Sequence, residues 1–96
     1  MAFKIKVSSL ATRNIDNALE FYHSKSKSSA KNFKKKLSEA YKTLKTNPYF
    51  ALRYHEVRAL PLKNFPYLIF FDIDEELRIV NILSVFCTYQ NPEKHP

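Results

Sequence analysis

The pattern of apolar and polar residues predicts one strand, then two helices, and then further strands. Phe3, Ile5 and Val7 alternate with lysines, which is the period-two pattern of a half-buried strand. Apolar residues then recur every three or four positions over Leu10–Ser24 and Ser29–Thr46, as in amphipathic helices. Only a short Ser- and Lys-rich break separates the two segments, so we expect them to form an antiparallel helical hairpin.

Capping and helix-breaking residues mark the ends of both predicted helices. Ser8 or Ser9 can cap the first helix and Ser28 or Ser29 the second, because a serine hydroxyl accepts a hydrogen bond from a free backbone N–H. The second helix is expected to end before Pro48, since the residue preceding a proline is disfavoured in the α region.

The second half of the chain predicts an extended segment followed by two strands. The extended segment covers Arg53–Leu62, and the strands cover Tyr67–Ile73 and Leu77–Cys87, joined by an acidic turn. This order indicates an α+β fold, with an N-terminal strand and a helical hairpin packed on one face of a small antiparallel β-sheet. We expect a single domain over residues 1–96.

The last two predicted strands are apolar on both faces. One helical hairpin covers only one face of a sheet, so the other needs a second cover. The terminal segments and the curl of the sheet are one candidate, and a partner peptide is the other. Strict alternation places the following large residues on the face open to such a partner: Phe70, Val80, Ile82 and Phe86.

The positive charge of the chain is concentrated in one element. The 96 residues carry 16 Lys and Arg against nine Asp and Glu, a net charge of +7. Between Lys25 and Lys45 there are eight lysines and one acid, Glu39, which accounts for the whole excess. The lysine-rich face of this helix is either simply solvated or a docking face for a polyanion. The polyanion would be nucleic acid or an acidic protein. Its aromatic residues lie on the apolar side, so it is not a platform for stacked bases.

Composition excludes several classes of site. The chain has no glycine, so glycine-rich phosphate loops and the G-x-S-x-G nucleophile motif are excluded. The single cysteine, Cys87, cannot form an internal disulfide and is expected to be a small buried hydrophobe. His23, His55 and His95 show no metal-ligand spacing, so we expect neither a metal nor a cofactor.

We expect a cytoplasmic protein with no membrane segment. The longest apolar run, Tyr67–Phe71, is far shorter than a membrane span, and the N-terminal residues alternate in polarity rather than forming a signal peptide.

Several short motifs follow one another in an order that resembles the RelE/ParE toxin superfamily of bacterial type II toxin–antitoxin modules. The motifs are Asn-Pro at 47–48, RYHEVR at 53–58, FPYLIFF at 65–71 and NPEK at 91–94. They look most like the ParE-type branch, and the resemblance covers nearly the whole chain.

The resemblance implies a toxin that is neutralised by a cognate acidic antitoxin, whose extended or helical tail wraps the toxin. Within the superfamily, ParE-like members poison DNA gyrase, whereas RelE-like members are metal-independent ribonucleases that cut mRNA on the ribosome. We expect a gyrase poison that is not an enzyme. The alternatives are a ribosome-dependent ribonuclease and a family member that binds an antitoxin without strong toxicity. A homodimer or a heterotetramer with the antitoxin is expected.

The resemblance also suggests individual site residues. Arg58 lies where such toxins commonly place a basic side chain, and Lys63 follows it. These two, together with Tyr89, are candidates for target binding, or for catalysis if the chain is a nuclease. An arginine expected near the last strand is absent, because Gln90 stands there. Since a tyrosine with an ordinary pKa near 10 is a poor base, this departure argues against the nuclease. Alternatively, Arg58 is a strand residue that pairs with Glu56 or Asp72.

The acidic antitoxin is expected to contact two features of the toxin surface. Its large apolar side chains would cover the open sheet face, and its negative charge would face the lysine-rich helix.

Overall fold

The computed structural model describes residues 2–50, 52–54 and 56–88. Tyr89, Gln90, His55, His95 and the motif at 91–94 therefore lie outside the described residues, and the expectations placed on them stay predictions. The helical elements are α1 (Ser9–Lys25), α2 (Lys27–Thr46) and a 3₁₀ turn at Pro48–Phe50. The strands are β1 (Lys4–Val7), β2 (Leu52–Tyr54), β3 (Val57–Pro61), β4 (Tyr67–Asp74) and β5 (Ile79–Cys87).

Within the described ranges, five strands form one sheet in the order β1-β5-β4-β3-β2. The expected α+β fold, with its N-terminal strand and helical hairpin, is confirmed. The sheet is mixed rather than wholly antiparallel, because β1 pairs with β5 in parallel. Consecutive strands β2 to β5 are joined by short connections that require antiparallel pairing. β1 and β5 are separated by almost the whole chain, so no turn restricts their relative direction.

The extended segment predicted at 53–62 is two strands rather than one. β2 and β3 pair in an antiparallel register with Tyr54 opposite Val57, so the chain reverses between these residues. The common signals for such a tight reversal are Asn-Gly and Asp-Gly, and a chain without glycine has neither.

Serine residues cap both helices, but the second cap differs from the prediction. The Ser8 hydroxyl accepts a hydrogen bond from the Ala11 N–H at 3.0 Å and donates one to the Leu83 carbonyl at 2.9 Å. Ser26, rather than Ser28 or Ser29, caps α2, and its hydroxyl accepts from the Ser29 N–H at 3.0 Å. Ser26 also ends α1. The break between the helices is therefore a single residue.

The core lies between the helical hairpin and the inner face of the sheet. Phe33, Leu37 and Leu44 of α2 are buried, as the apolar stripe predicts. The other predicted contacts, Ile15, Leu19 and Tyr41, are partly buried against this core. The largest buried side chains contributed by the sheet are Ile69, Phe71, Val80 and Ile82.

A β-bulge in β5 overturns part of the predicted outer face. Phe71 pairs with Ile82 and Phe70 pairs with Ser84, so Leu83 is an extra residue in β5. An extra residue reverses the alternation of side chains beyond it. Val80 and Ile82 are therefore fully buried under the helices.

The assignment of Val80 and Ile82 to the open face was wrong. Phe86, beyond the bulge, lies with Phe70 on the outer face, where their rings form an edge-to-face pair with centroids 6.4 Å apart.

Candidate functional site

Arg58 is held against the 3₁₀ turn that follows α2. It pairs with Phe71 in the sheet and so shares the inner face, but it lies where the turn has replaced the helix. Its Nη1 donates a hydrogen bond to the Tyr49 carbonyl at 2.9 Å, and its guanidinium carbon lies 5.4 Å from the centroid of the Tyr49 ring. Asp72, one suggested partner, instead accepts a hydrogen bond from Asn81 at 2.9 Å. The guanidinium is therefore oriented by a carbonyl and a ring.

The cleft around Arg58 has mixed charge. It has a volume of about 240 Å³ and is lined by Tyr49, Glu56, Arg58, Ile73 and Glu75. The Tyr49 hydroxyl donates to Glu75 Oε1 at 3.3 Å. Partial desolvation and the neighbouring Glu75 carboxylate raise the pKa of the Tyr49 hydroxyl above its ordinary value. The two carboxylates that line the cleft oppose the charge of Arg58 and weaken its attraction for a phosphate.

Two adjacent aromatic rings lie between two arginines at this end of the sheet. The Arg78 guanidinium lies 4.2 Å from the centroid of the Phe3 ring, and that ring meets the Tyr49 ring edge-to-face at 5.9 Å. We call Arg58, Tyr49, Phe3 and Arg78 the arginine–aromatic row. Guanidinium groups stack on aromatic faces, so the two rings help to orient both arginines.

Sequence reasoning selected Arg58 and missed the rest of the row. Tyr49 follows a proline at a helix end, and Arg78 follows an acidic turn. Neither position carries a motif. Phe3 was predicted only as a residue of the first strand. The pairing of β1 with β5 brings these residues together, and no local sequence pattern indicates that pairing.

Lys63 lies apart from Arg58. It is exposed in the connection after β3 and lines a shallow cavity with Lys36 and Glu39 of α2. Lys63 lies in the turn beyond the end of β3, and the two side chains line different cavities. The structure therefore does not bring Arg58 and Lys63 together on one small group such as a phosphate.

The outer face of the sheet carries a contiguous apolar surface. Phe70 pairs with Ala59, and Leu68 pairs with both Pro61 and Phe86, so these side chains share one face. Phe86 is 38% exposed, and Pro61 is also exposed. We call Ala59, Pro61, Leu68, Phe70 and Phe86 the outer apolar patch. In the described part of the chain, the helices pack on the opposite face of the sheet and not on the patch.

A second cavity lies between α1 and the ends of β4 and β5. It measures about 330 Å³ and is lined by Phe21, Tyr67 and Cys87 among others. Burial, together with the neighbouring Cys87 and Tyr22, raises the pKa of the Tyr67 hydroxyl well above its ordinary value. Cys87 is half-buried here rather than fully buried as expected.

The described part of the chain shows neither a cluster of metal ligands nor a membrane-spanning helix. None of its His, Cys, Asp and Glu side chains form a group of three or more that could hold a metal ion. None of its helices has the length and apolar character needed to cross a bilayer.

Comparisons with known proteins agree with this fold. A family model described as the ParE toxin of the type II toxin–antitoxin system parDE matches residues 5–92. The fold is similar to a solved structure titled "Chromosomal ParDE TA system from P. aeruginosa", with a TM-score of 0.72 at 18% sequence identity. That alignment covers 88% of this chain and 94% of the other. No curated protein matches. Since the family model spans nearly the whole sequence, this chain belongs to the ParE toxin family of type II toxin–antitoxin systems.

Proposed function

We propose that this chain acts as the toxin of a type II toxin–antitoxin module and that it inhibits DNA gyrase without cutting nucleic acid. Membership of the ParE family supports the toxin role. The observation that carries the choice of target is that Arg58 and Lys63 line different cavities, so they do not form one pair of cations for a phosphate.

Cleavage of RNA through its 2′-hydroxyl needs a base at that hydroxyl and concentrated positive charge at the phosphate. Lys63 lines a different cavity from Arg58 and does not assist it there. Glu56 and Glu75 line the cleft of Arg58 and oppose the approach of a phosphate. This arrangement favours binding of a protein surface over catalysis on RNA.

The arginine–aromatic row is suited to contact a protein target. Tyrosine and arginine are the side chains that most often dominate the energy of protein interfaces. Tyr49 is 44% exposed, and its ring supports the Arg58 guanidinium. We assign the gyrase contact to this row, with Arg58 as its principal residue.

Purified gyrase provides the direct test of the target. The chain should inhibit supercoiling, and mRNA on programmed ribosomes should stay intact. Arg58→Ala should weaken inhibition at least about 10-fold, since a central interface arginine contributes more than about 1.4 kcal/mol. Arg58→Lys should recover part of that loss, because it keeps the charge but not the planar stacking. Arg13→Ala, at an exposed arginine of α1, is the matched control and should change nothing.

The opposite result would identify a ribonuclease. Codon-positioned cuts in mRNA that disappear in Tyr89→Phe, with supercoiling unaffected by the wild-type chain, would overturn the gyrase proposal. In bacteria, the same distinction appears as DNA breaks against arrest of translation after induction of the chain alone.

We further propose that a cognate acidic antitoxin covers the outer apolar patch. Its apolar side chains would bury Phe70 and Phe86, which the helices leave accessible. We expect the adjacent reading frame to encode this small acidic protein. It should copurify with the chain, for example as a heterotetramer. Phe86→Ser should weaken that complex at least about 10-fold, as expected for loss of a buried aromatic anchor.

Leu10→Ala is the control for the antitoxin experiment, because Leu10 is a large exposed apolar residue on α1, away from the patch. Failure of any complex to form at low salt would contradict the proposal. A complex that forms with a chain that is not toxic in bacteria would identify a family member that binds an antitoxin without strong toxicity.

A further inference from the structure

Six of the lysines of α2 lie in one straight stripe. At 3.6 residues per turn, their positions fall within about 100° of the helix circumference. We call this set the lysine stripe: Lys27, Lys31, Lys34, Lys35, Lys42 and Lys45. All six are exposed. From the first to the last, the stripe extends about 27 Å at 1.5 Å per residue.

Little negative charge lies close enough to the stripe to neutralise its lysines. Glu39, the acid of α2, pairs with Lys36 at 3.5 Å, and Lys36 lies outside the stripe. From α1, Glu20 and His23 line the groove beside Lys34. Among the described residues, the pair of Lys36 with Glu39 is the salt bridge found within 4.0 Å. The remaining members of the stripe therefore present their charge to solvent.

The stripe and the outer apolar patch lie on opposite sides of the molecule. α2 packs on the inner face of the sheet through Phe33, Leu37 and Leu44, and the patch is on the outer face. A peptide segment seated on the patch does not reach the stripe without passing around a sheet edge. The expectation that one acidic segment uses both surfaces therefore loses its geometric support, and the stripe needs an occupant of its own.

The chemistry of the stripe favours a phosphate backbone over an acidic protein. Its cations are all lysines, which act as point charges and can follow the repeated charges of a phosphate backbone without a fixed bidentate geometry. It contains no apolar or aromatic anchor of the kind that dominates protein interfaces. Ser38, also exposed, lies among the lysines and adds a hydroxyl donor.

The shape of the stripe favours a duplex. Single strands are usually held by aromatic side chains on which bases stack, and the stripe has none. Duplex DNA carries about one charge per 1.7 Å of axis, so a 27 Å row of cations meets a dense array of phosphates. Duplex RNA is recognised mostly by shape and by 2′-hydroxyl contacts across its wide minor groove, whereas a single row of ammonium groups is suited to the phosphates of one backbone.

We propose that the lysine stripe of α2 binds the phosphate backbone of double-stranded DNA independently of sequence. This activity goes beyond the proposed inhibition of gyrase and does not depend on it, since the stripe and the arginine–aromatic row share no residue. Bound DNA would hold the chain on the substrate of the enzyme it inhibits.

Fluorescence anisotropy with a 20-base-pair duplex tests the proposal on the purified chain. Contact of four to six lysines predicts a slope of log K against log salt of about −4 to −5. The affinity should then fall about 100- to 1,000-fold between 50 and 200 mM KCl. The triple variant Lys31→Gln, Lys35→Gln and Lys42→Gln should reduce the slope by about 3 and bind much more weakly at 50 mM.

A second triple variant has the same net charge as the first but keeps the lysine stripe intact. Lys4→Gln, Lys6→Gln and Arg13→Gln remove the same charge outside the stripe and should bind DNA nearly as tightly as the wild type. Equal losses in both variants would show that only net charge matters and would overturn the proposal. So would absence of binding at 50 mM KCl, tighter binding to duplex RNA of the same length, or tighter binding to polyglutamate of equal charge. Circular dichroism confirms that both variants fold.

Discussion

At the scale of single residues, Tyr41 of α2 has a feature that its place in the apolar stripe does not reveal. Its hydroxyl is buried and has no hydrogen-bond partner in the described part of the chain. Burial also raises the pKa of this hydroxyl. A buried polar group without a partner costs about 1–3 kcal/mol. The ring therefore contributes packing, and the hydroxyl reduces stability.

Removal of the hydroxyl should stabilise the fold. We expect Tyr41→Phe to raise the free energy of unfolding by about 1 kcal/mol, because the ring stays in place and the unpaired oxygen is lost. Urea denaturation monitored by circular dichroism measures this change. Tyr49→Phe is the control, since its ring is exposed, and it should stay within about 0.5 kcal/mol of the wild type. A destabilised Tyr41→Phe would contradict the prediction.

Tyr67 should make the fold sensitive to alkaline pH. Its pKa is raised by burial and by Cys87 and Tyr22, so the folded chain keeps the phenol proton when the unfolded chain has lost it. The stabilisation from the neutral phenol is complete below pH 10 and is lost as the pH rises above the unfolded pKa.

Denaturation at pH 9, 10 and 11 tests this linkage. The free energy of unfolding should fall more steeply above pH 10 in the wild type than in Tyr67→Phe, which has no phenol to ionise at this site. Tyr49→Phe offers a comparison, because the pKa of Tyr49 is also raised but its side chain is 44% exposed, so this variant should change the slope less than Tyr67→Phe does. Identical slopes for the wild type and Tyr67→Phe would show that Tyr67 titrates normally in the folded chain.

At the scale of elements, α2 has two faces with separate roles. Its inner face supplies Phe33, Leu37 and Leu44 to the core, and its outer face carries the lysine stripe. Ser26 alone joins α2 to α1, so the connection restricts the orientation of α2 relative to α1.

Truncation of the inner face should destabilise the whole domain. Leu37 is 8% exposed in the middle of the core, so Leu37→Ala should cost about 2–5 kcal/mol through lost burial and the cavity that remains. Leu77→Ala removes the same atoms from a leucine that is 67% exposed and should cost less than about 0.5 kcal/mol. Thermal denaturation measures both. An unchanged midpoint for Leu37→Ala would exclude the stripe as core.

At the scale of the whole molecule, the sheet separates the proposed surfaces. The outer apolar patch lies on one side, the lysine stripe lies on the other, and the arginine–aromatic row lies at one end. Substitutions at sites this far apart with no shared partner behave independently.

Independence of the surfaces is itself testable. The triple variant of the lysine stripe should lose DNA binding and keep its affinity for the antitoxin within about twofold. Phe86→Ser should show the reverse, with weak antitoxin binding and unchanged DNA binding. Calorimetry for the antitoxin and anisotropy for DNA provide the two readouts. Loss of both activities in either variant would mean that the surfaces are coupled or that the variant is misfolded, and circular dichroism separates those cases.

The sequence by itself determined the features that depend on local periodicity. The helices follow from the spacing of residues such as Phe33, Leu37 and Leu44, because helix formation and amphipathic burial are decided within a few turns. The confinement of the positive charge to one element is a property of the sequence. The motifs that resemble ParE toxins were also sufficient to identify the family that the family model confirms.

Only the tertiary structure decided the features that depend on pairing between distant segments. The bulge at Leu83 moved Val80 and Ile82 into the core, and strict alternation cannot predict where an extra residue is inserted. The arginine–aromatic row exists because β1 lies beside β5 and the 3₁₀ turn lies over β3. Register and strand order are set by the packing of the whole sheet, so no local pattern encodes them.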